Sequence, residues 1–326
     1  MTMHPVPLLA VLPPLGASAL LRTTLPAVPV ALVAVALAAY LGAVHRQNRL
    51  HPRHPWPAKR TAAFVASAAV TSVAIFSVIG VYDTTLFWDH MVQHLMLIVV
   101  AAVLLAVSAP VALAWRASTG GLHRRITAAL RSPPSLVIGH PVTAFVCYGV
   151  LIPLTHLTVF FNWAIEYRWV DDVEHFLFLF VGYLFWRHIL GHDPNRYRMQ
   201  APMRALLLFV ALPVDTFVGL TLNSEAHEIF PALAKLHRTW GPSLVMDLHI
   251  GGVIMWVGGD VLMMLALIPV VVEWMRREER RATLFDRELE AYLPTPPATR
   301  GQPTAGFALG THAQRTAGPT PPATRG

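Results

Sequence analysis

The stretch 89–97 reads DHMVQHLML, and its two histidines, His90 and His94, stand four residues apart at the head of an apolar run. Residues i and i+4 share one face of a helix, so both imidazoles can reach a single ion. The motif is short, and taken alone it is better explained as two interfacial histidines bonded to water and backbone. Three further histidines, His156, His175 and His249, lie near the ends of other apolar runs. Polar and acidic companions stand close by at Asp89, Gln93, Glu174 and Asp247, and methionines at Met91, Met96, Met246 and Met255. Imidazole suits copper, zinc, iron and nickel, whereas thioether sulfur leans towards Cu(I). The single cysteine, Cys147, lies inside an apolar run, so neither a disulfide framework nor a CxxC metal or redox site is available. A soft metal must then use imidazole, thioether or carboxylate, and histidine with some methionine and no thiolate fits copper best.

Whether these side chains can meet depends on the elements that carry them. Of 326 residues, 55% are hydrophobic and only 13% charged, far less charge than a soluble domain of this length needs. A helix needs about 20 apolar residues to cross hydrocarbon. Seven segments qualify, at 25–44, 61–82, 91–115, 142–161, 173–191, 205–222 and 249–272. The expected fold is all-α, a polytopic bundle of seven transmembrane helices. Pro110, Pro153, Pro213 and Pro269 fall within or near the ends of spans, where neighbouring helices can satisfy the freed carbonyls.

Direction follows from the loops. Residues 45–60 hold five Arg or Lys; the third loop carries Arg116, Arg124, Arg125 and Arg131, and the fifth Arg196, Arg198 and Arg204. The alternate loops are poor in positive charge. Positive loops lie inside, which puts the N-terminus outside and the C-terminus in the cytoplasm. The net charge of +7 is thus an orientation signal and not a nucleic-acid surface, and no nucleic-acid motif occurs. Residues 1–24 form an extracytoplasmic segment, which has no basic n-region and is broken by Pro13 and Pro14, unlike a secretory signal peptide. Residues 25–272 make the membrane domain. The mixed charges of 273–293 suggest a cytoplasmic amphipathic helix. The tail 294–326 repeats PTPPATRG at 294–301 and 319–326 and is expected to be disordered, because it has nothing with which to build a core.

In this topology four spans bring histidine to one outer level. His90 and His94 open the third, His175 the fifth and His249 the seventh. His156 lies about 7 Å below the outer end of the fourth at about 1.5 Å per residue. Ionisable groups within spans are costly and face the bundle interior, which makes metal or cofactor binding the preferred reading over separate rim histidines. Asp215 lies deeper, mid-way along the sixth span. Asp260 lies about 16 Å below His249 and on the same helix face. Gly251, Gly252, Gly258 and Gly259 near that face allow a neighbouring helix to approach. These midplane carboxylates are read equally as a polar line for protons or an ion and as protonated aspartates joining helices.

The segments YDTTLFWDHMVQHLMLIVV, SAPVALAWRA, GHPVTAFVCYGVLIPLTHLTVFFNWAI, VEHFLFLFVGYLFWRHILGHDP, LPVDTFVGLTLN and WGPSLVMDLHIGGVIMWVGGD together form a pattern. It resembles the CtaG family of membrane-embedded cytochrome c oxidase assembly factors, associated with caa-type oxidases, over about residues 26–275. The resemblance implies a seven-span protein needed to make active oxidase through handling copper. By motif match it points to His90, Gln93, His94, His156, His175, His249 and Asp260, and to Asp215, where other members carry histidine.

The reading from sequence is therefore a multi-pass plasma-membrane assembly factor for a haem–copper oxidase, binding or passing copper at its outer face. His90 and His94 form the first chelate, His175 and His249 complete it, and Asp89, Glu174 and Asp247 draw in the cation. Met91 and Gln93 support the site. Cytochrome c oxidase subunits, a copper chaperone and membrane lipid are the expected partners. Three alternatives compete: a redox protein holding b-type haem between histidines, a proton-coupled ion transporter using Asp215 and Asp260, and a metal-free scaffold. Enzyme activity is not expected, since no nucleophile–base pair or phosphate loop is present.

Overall fold

A computed structural model describes residues 12–197, 199–227 and 229–292. The expected repeat-containing tail, 294–326, lies outside the described residues, as do residues 1–11. Each apolar run folds as helix, and no strand occurs among the described residues. Nine helices carry the argument: α1 (Ala27–Leu50), α2 (Ala58–Phe76), α3 (Phe87–Ala117), α4 (Gly120–Arg131), α5 (Pro141–His156), α6 (Phe160–Glu166), α7 (Arg168–Ile189), α8 (Ala201–Ser224) and α9 (Leu244–Glu290). Their starts follow local chemistry. Pro141 and Pro202 sit in first turns, where a missing N–H costs nothing. The Ser243 hydroxyl accepts from the Met246 N–H to cap α9.

α3 and α7 form the centre. α3 packs on α1, α2, α7 and α9, and α7 packs on α3, α5, α6 and α8, with α8 also against α5 and α9. Two departures from regular helix shape α3. Met96–Ala101 forms a π-helical turn, which offers carbonyls to neighbours: Trp186 Nε1 donates to the Ile98 carbonyl at 2.9 Å and the Ser67 hydroxyl to that of Ala101 at 2.8 Å. α7 comes this close because residue 182 is glycine; a Cβ there would collide with the Ile98 carbonyl. Further on, Ala109 adopts a left-handed φ of 53° before Pro110, and the chain restarts with a cap from a distance. Asp193 Oδ1 accepts from the Ala112 N–H at 2.7 Å while its Oδ2 accepts from Tyr183 at 2.6 Å. The aspartate of the GHDP turn is thus a helix cap.

Five helical stretches are long and apolar enough to cross a membrane: Ala27–Leu50, Ala58–Tyr82, Phe87–Ala117, Ala201–Ser224 and Leu244–Glu290. A sixth is added if α5 and α6, bent by 67° at their junction, count as one. The seventh expected span corresponds to α7. It is long enough, but Arg168, Asp171, Asp172 and Glu174 at one end and Arg187 at the other make it too charged for that test. Leu32, Phe209, Phe217, Leu265 and Ile268 are exposed, a surface suited to lipid and not to water. The stretch 273–292, expected as a separate helix, belongs to the continuous helix Gly259–Tyr292.

Candidate metal centre

His90 and His94 project from one face of α3, and His156 reaches them from the last turn of α5. All three are buried, and each offers a ring nitrogen so placed that the three atoms lie within 4.8 Å of one another. Ligands about 2 Å from one ion stand no more than about 4 Å apart, so the trio needs only a small contraction to hold one. Their tautomers favour it. His156 Nδ1 lies 3.0 Å from the Ile152 carbonyl, which can only accept, so Nδ1 carries the proton and the Nε2 lone pair is free. Neither nitrogen of His90 or His94, nor Nε2 of His156, has a hydrogen-bond partner.

Glu174 of α7 closes the group. Its Oε1 is 3.4 Å from His94 Nε2 and its Oε2 3.8 Å from His90 Nε2, and neither oxygen accepts a hydrogen bond. Aromatic rings wall the site. Phe178 stacks on His94 with centroids 3.8 Å apart, and Phe161 meets His90 edge-on at 5.0 Å. Buried polar atoms are nearly always paired, so several unpaired nitrogens and oxygens converging in a dry cage indicate a bound species. Met91 and Met255 line a small cavity of about 20 Å³ with His94 and His156, which places thioethers beside the imidazoles.

His175 belongs to an adjoining group. The Gln93 side-chain amide donates to the Ala74 carbonyl at 2.9 Å and to Asp83 at 3.0 Å, which fixes its orientation. Gln93 Oε1 therefore accepts from His175 Nε2–H at 2.8 Å. That N–H also faces Asp171 Oδ1 at 3.4 Å and Asp83 Oδ2 at 3.9 Å. Asp83, Asp171 and His175 likewise offer ligand atoms within 4.8 Å of one another, but in this arrangement His175 presents a proton and not a lone pair. Burial pushes the Asp83 carboxyl up to about 7, with the Asp171 charge adding to the rise and His175 and the Gln93 amide opposing it.

The structure separates other expected participants from the trio. His249 is absent from both groups among the described residues; its Nε2 pairs with the Glu225 carbonyl at 2.8 Å. Asp247, expected to attract a cation, is consumed in structure. It accepts from the first N–H groups of α3, at Phe87 (3.2 Å) and Trp88 (3.0 Å), and pairs with Arg238 at 3.0 Å. Asp89 is buried with Oδ2 unpartnered. The π-helical turn Ile254–Gly258 breaks the even 100° per residue that placed His249 and Asp260 on one face. Asp260 instead accepts from Thr216 of α8 at 3.1 Å, and Asp215 from Tyr148 of α5 at 2.9 Å, so both carboxylates tie helices together. Asp83, Asp171 and Tyr148 were missed as members of these networks. Asp83 and Asp171 stand beside the histidine segments in sequence, whereas Tyr148 carries no signal beyond lying in a span.

Known proteins add to this picture. The family model described as cytochrome c oxidase caa3 assembly factor (Caa3_CtaG) matches residues 38–277. Uncharacterised proteins of Mycobacterium bovis and Mycobacterium tuberculosis are each 30% identical over 277 residues, covering 80% of this chain and 41% of theirs. One of Mycobacterium leprae is 28% identical over 244 residues, covering 72% of this chain and 37% of its own. The chain thus spans about two fifths of the length of these curated relatives. No solved structure matches. With its histidine-bearing helices inside the matched region, the chain belongs to the cytochrome c oxidase caa3 assembly factor family.

Proposed function

We propose that this protein handles copper for the assembly of a haem–copper cytochrome c oxidase, holding the ion as cargo at His90, His94 and His156 with Glu174 beside them. The observation that carries this reading is the convergence of unpartnered ring nitrogens on an unpartnered carboxylate in a buried cage. Neutral imidazoles with nearby thioethers suit copper. Haem is the poorer fit: the His94 and His156 rings stand 5.1 Å apart between centroids, and the adjoining cavity of about 20 Å³ has no room for a macrocycle.

In this reading the chain is a non-catalytic, seven-span protein of the bacterial plasma membrane, with its N-terminus outside and the histidine site near the outer face. α7 is then the span whose charges are tolerated because other helices surround it, and Asp171, Glu174 and His175 are indeed buried. Oxidase subunits are the recipients, and a copper chaperone is the donor. Copper analysis of the detergent-purified protein tests the proposal, with His90→Ala/His94→Ala alongside. Near-stoichiometric copper in the parent and its loss in the double variant are expected. Equal copper in both would refute the site.

A further inference from the structure

At the opposite end of α7 from His175, about 20 Å along the helix at about 1.5 Å per residue, lies a second polar feature. A cavity of about 750 Å³ opens where α7 ends and α8 begins, bounded also by the start of α2 and by α9. Its walls carry Arg60, Arg187, Arg204 and Arg277 against only two carboxylates, Asp193 and Glu273. Both carboxylates are already committed. Asp193 caps the Ala112 N–H and binds Tyr183, and Glu273 pairs with Arg204 at 2.9 Å and with Arg277. The cavity is therefore cationic, and its anions are spent within the chain.

Its unsatisfied atoms are all donors. Arg187 Nε and Arg204 Nε are buried without a hydrogen-bond partner. His188, only 6% exposed, contributes a third. Asn195 Oδ1 accepts from the Tyr197 N–H at 3.0 Å, so its Nδ2 must face His188, 2.9 Å from Nδ1. His188 Nδ1 is then the acceptor, and the proton sits on Nε2, which has no partner. Two guanidinium N–H groups and one imidazole N–H lining one basic cavity call for a ligand with several acceptor oxygens and negative charge. The apolar part of the bundle ends at this level, where lipid headgroups lie, and basic pockets between helix ends suit such headgroups.

We infer that this cavity binds a phosphate group, carried either by an anionic membrane lipid or by a soluble phosphate. The proposal is independent of the copper reading, since no residue is shared.

The test uses the full chain, purified in detergent and stripped of lipid. Thermal unfolding is followed with added phosphatidylglycerol, phosphatidylcholine or inorganic phosphate, and native mass spectrometry counts retained lipid. A stabilising shift with phosphatidylglycerol alone supports the lipid source, and a shift with inorganic phosphate supports the soluble source. Arg187→Gln should weaken the effective ligand about tenfold, the effect of losing one charge-assisted hydrogen bond. His188→Gln, which nearly keeps the volume, should weaken it similarly and serves if Arg187→Gln does not fold. Equal shifts with phosphatidylcholine and phosphatidylglycerol and none with phosphate, or unchanged binding in a folded variant, would overturn the proposal.

Discussion

His94 Nε2 and Glu174 Oε1 face each other at 3.4 Å, one from α3 and one from α7, and neither has a hydrogen-bond partner. Two such atoms in a dry cage are costly unless something lies between or beside them. Glu174→Gln keeps the shape and removes the charge. It should weaken copper binding by about 10- to 100-fold, as loss of a group tuning metal ligands does. Competition against a coloured Cu(I) chelator on the purified protein reads this directly, and unchanged affinity would show that Glu174 does not act on the metal.

His249→Ala provides the contrasting case. The ring is engaged with the Glu225 carbonyl and stands apart from the trio, so copper stoichiometry should equal that of the parent. The cost is a local hydrogen bond, about 1 kcal/mol. Loss of copper in this variant would place His249 in the centre after all.

Asp247→Ala should behave as a structural lesion. It strips the cap from the start of α3 and strands Arg238, whose side chain is 3% exposed. Removing one partner of a buried pair costs about 3–5 kcal/mol. A marked fall in melting temperature in metal-free detergent solution is expected. Asp247→Asn, which can still accept from the Phe87 and Trp88 N–H groups, should recover part of it.

Asp83 predicts a pH dependence of a definite sign. Its carboxyl is raised to about 7 in the folded protein from an ordinary 3.8. A group that holds its proton more tightly when folded contributes stability that is present below the unfolded value and lost as pH rises through the folded one. Metal-free protein should therefore melt at lower temperature as pH rises from about 4 through about 7. Asp83→Asn should flatten that slope, and an identical slope in the variant would assign it to other groups.

The sequence made one half of the metal site visible and hid the other. HMVQH advertises a shared helix face because four residues nearly complete a turn, and depth arguments bring His156 to the same level. His249 was the misleading case, because its helix contains a π-helical turn, and no residue type marks where helical phase will shift. Gln93 and Asp83 escaped for a different reason. Their roles depend on which carbonyl or imidazole lies opposite, a fact of packing between α2, α3 and α7. The apolar runs gave the helices, but a charged, centrally buried helix such as α7 reads ambiguously by composition alone, since burial by other helices substitutes for apolarity.

The wide turn Met96–Ala101 means that α3 is really two helices in one, set at an angular offset by the length of chain between them. One part aims imidazoles at α5 and α7, and the other aims small residues at Gly182. Side-chain substitutions leave that offset untouched. Losing a single residue from the turn would wind it back to ordinary pitch and swing His90 and His94 by about 100° relative to everything that follows. Variation among homologous chains should thus tolerate changed letters in this turn while forbidding a changed count.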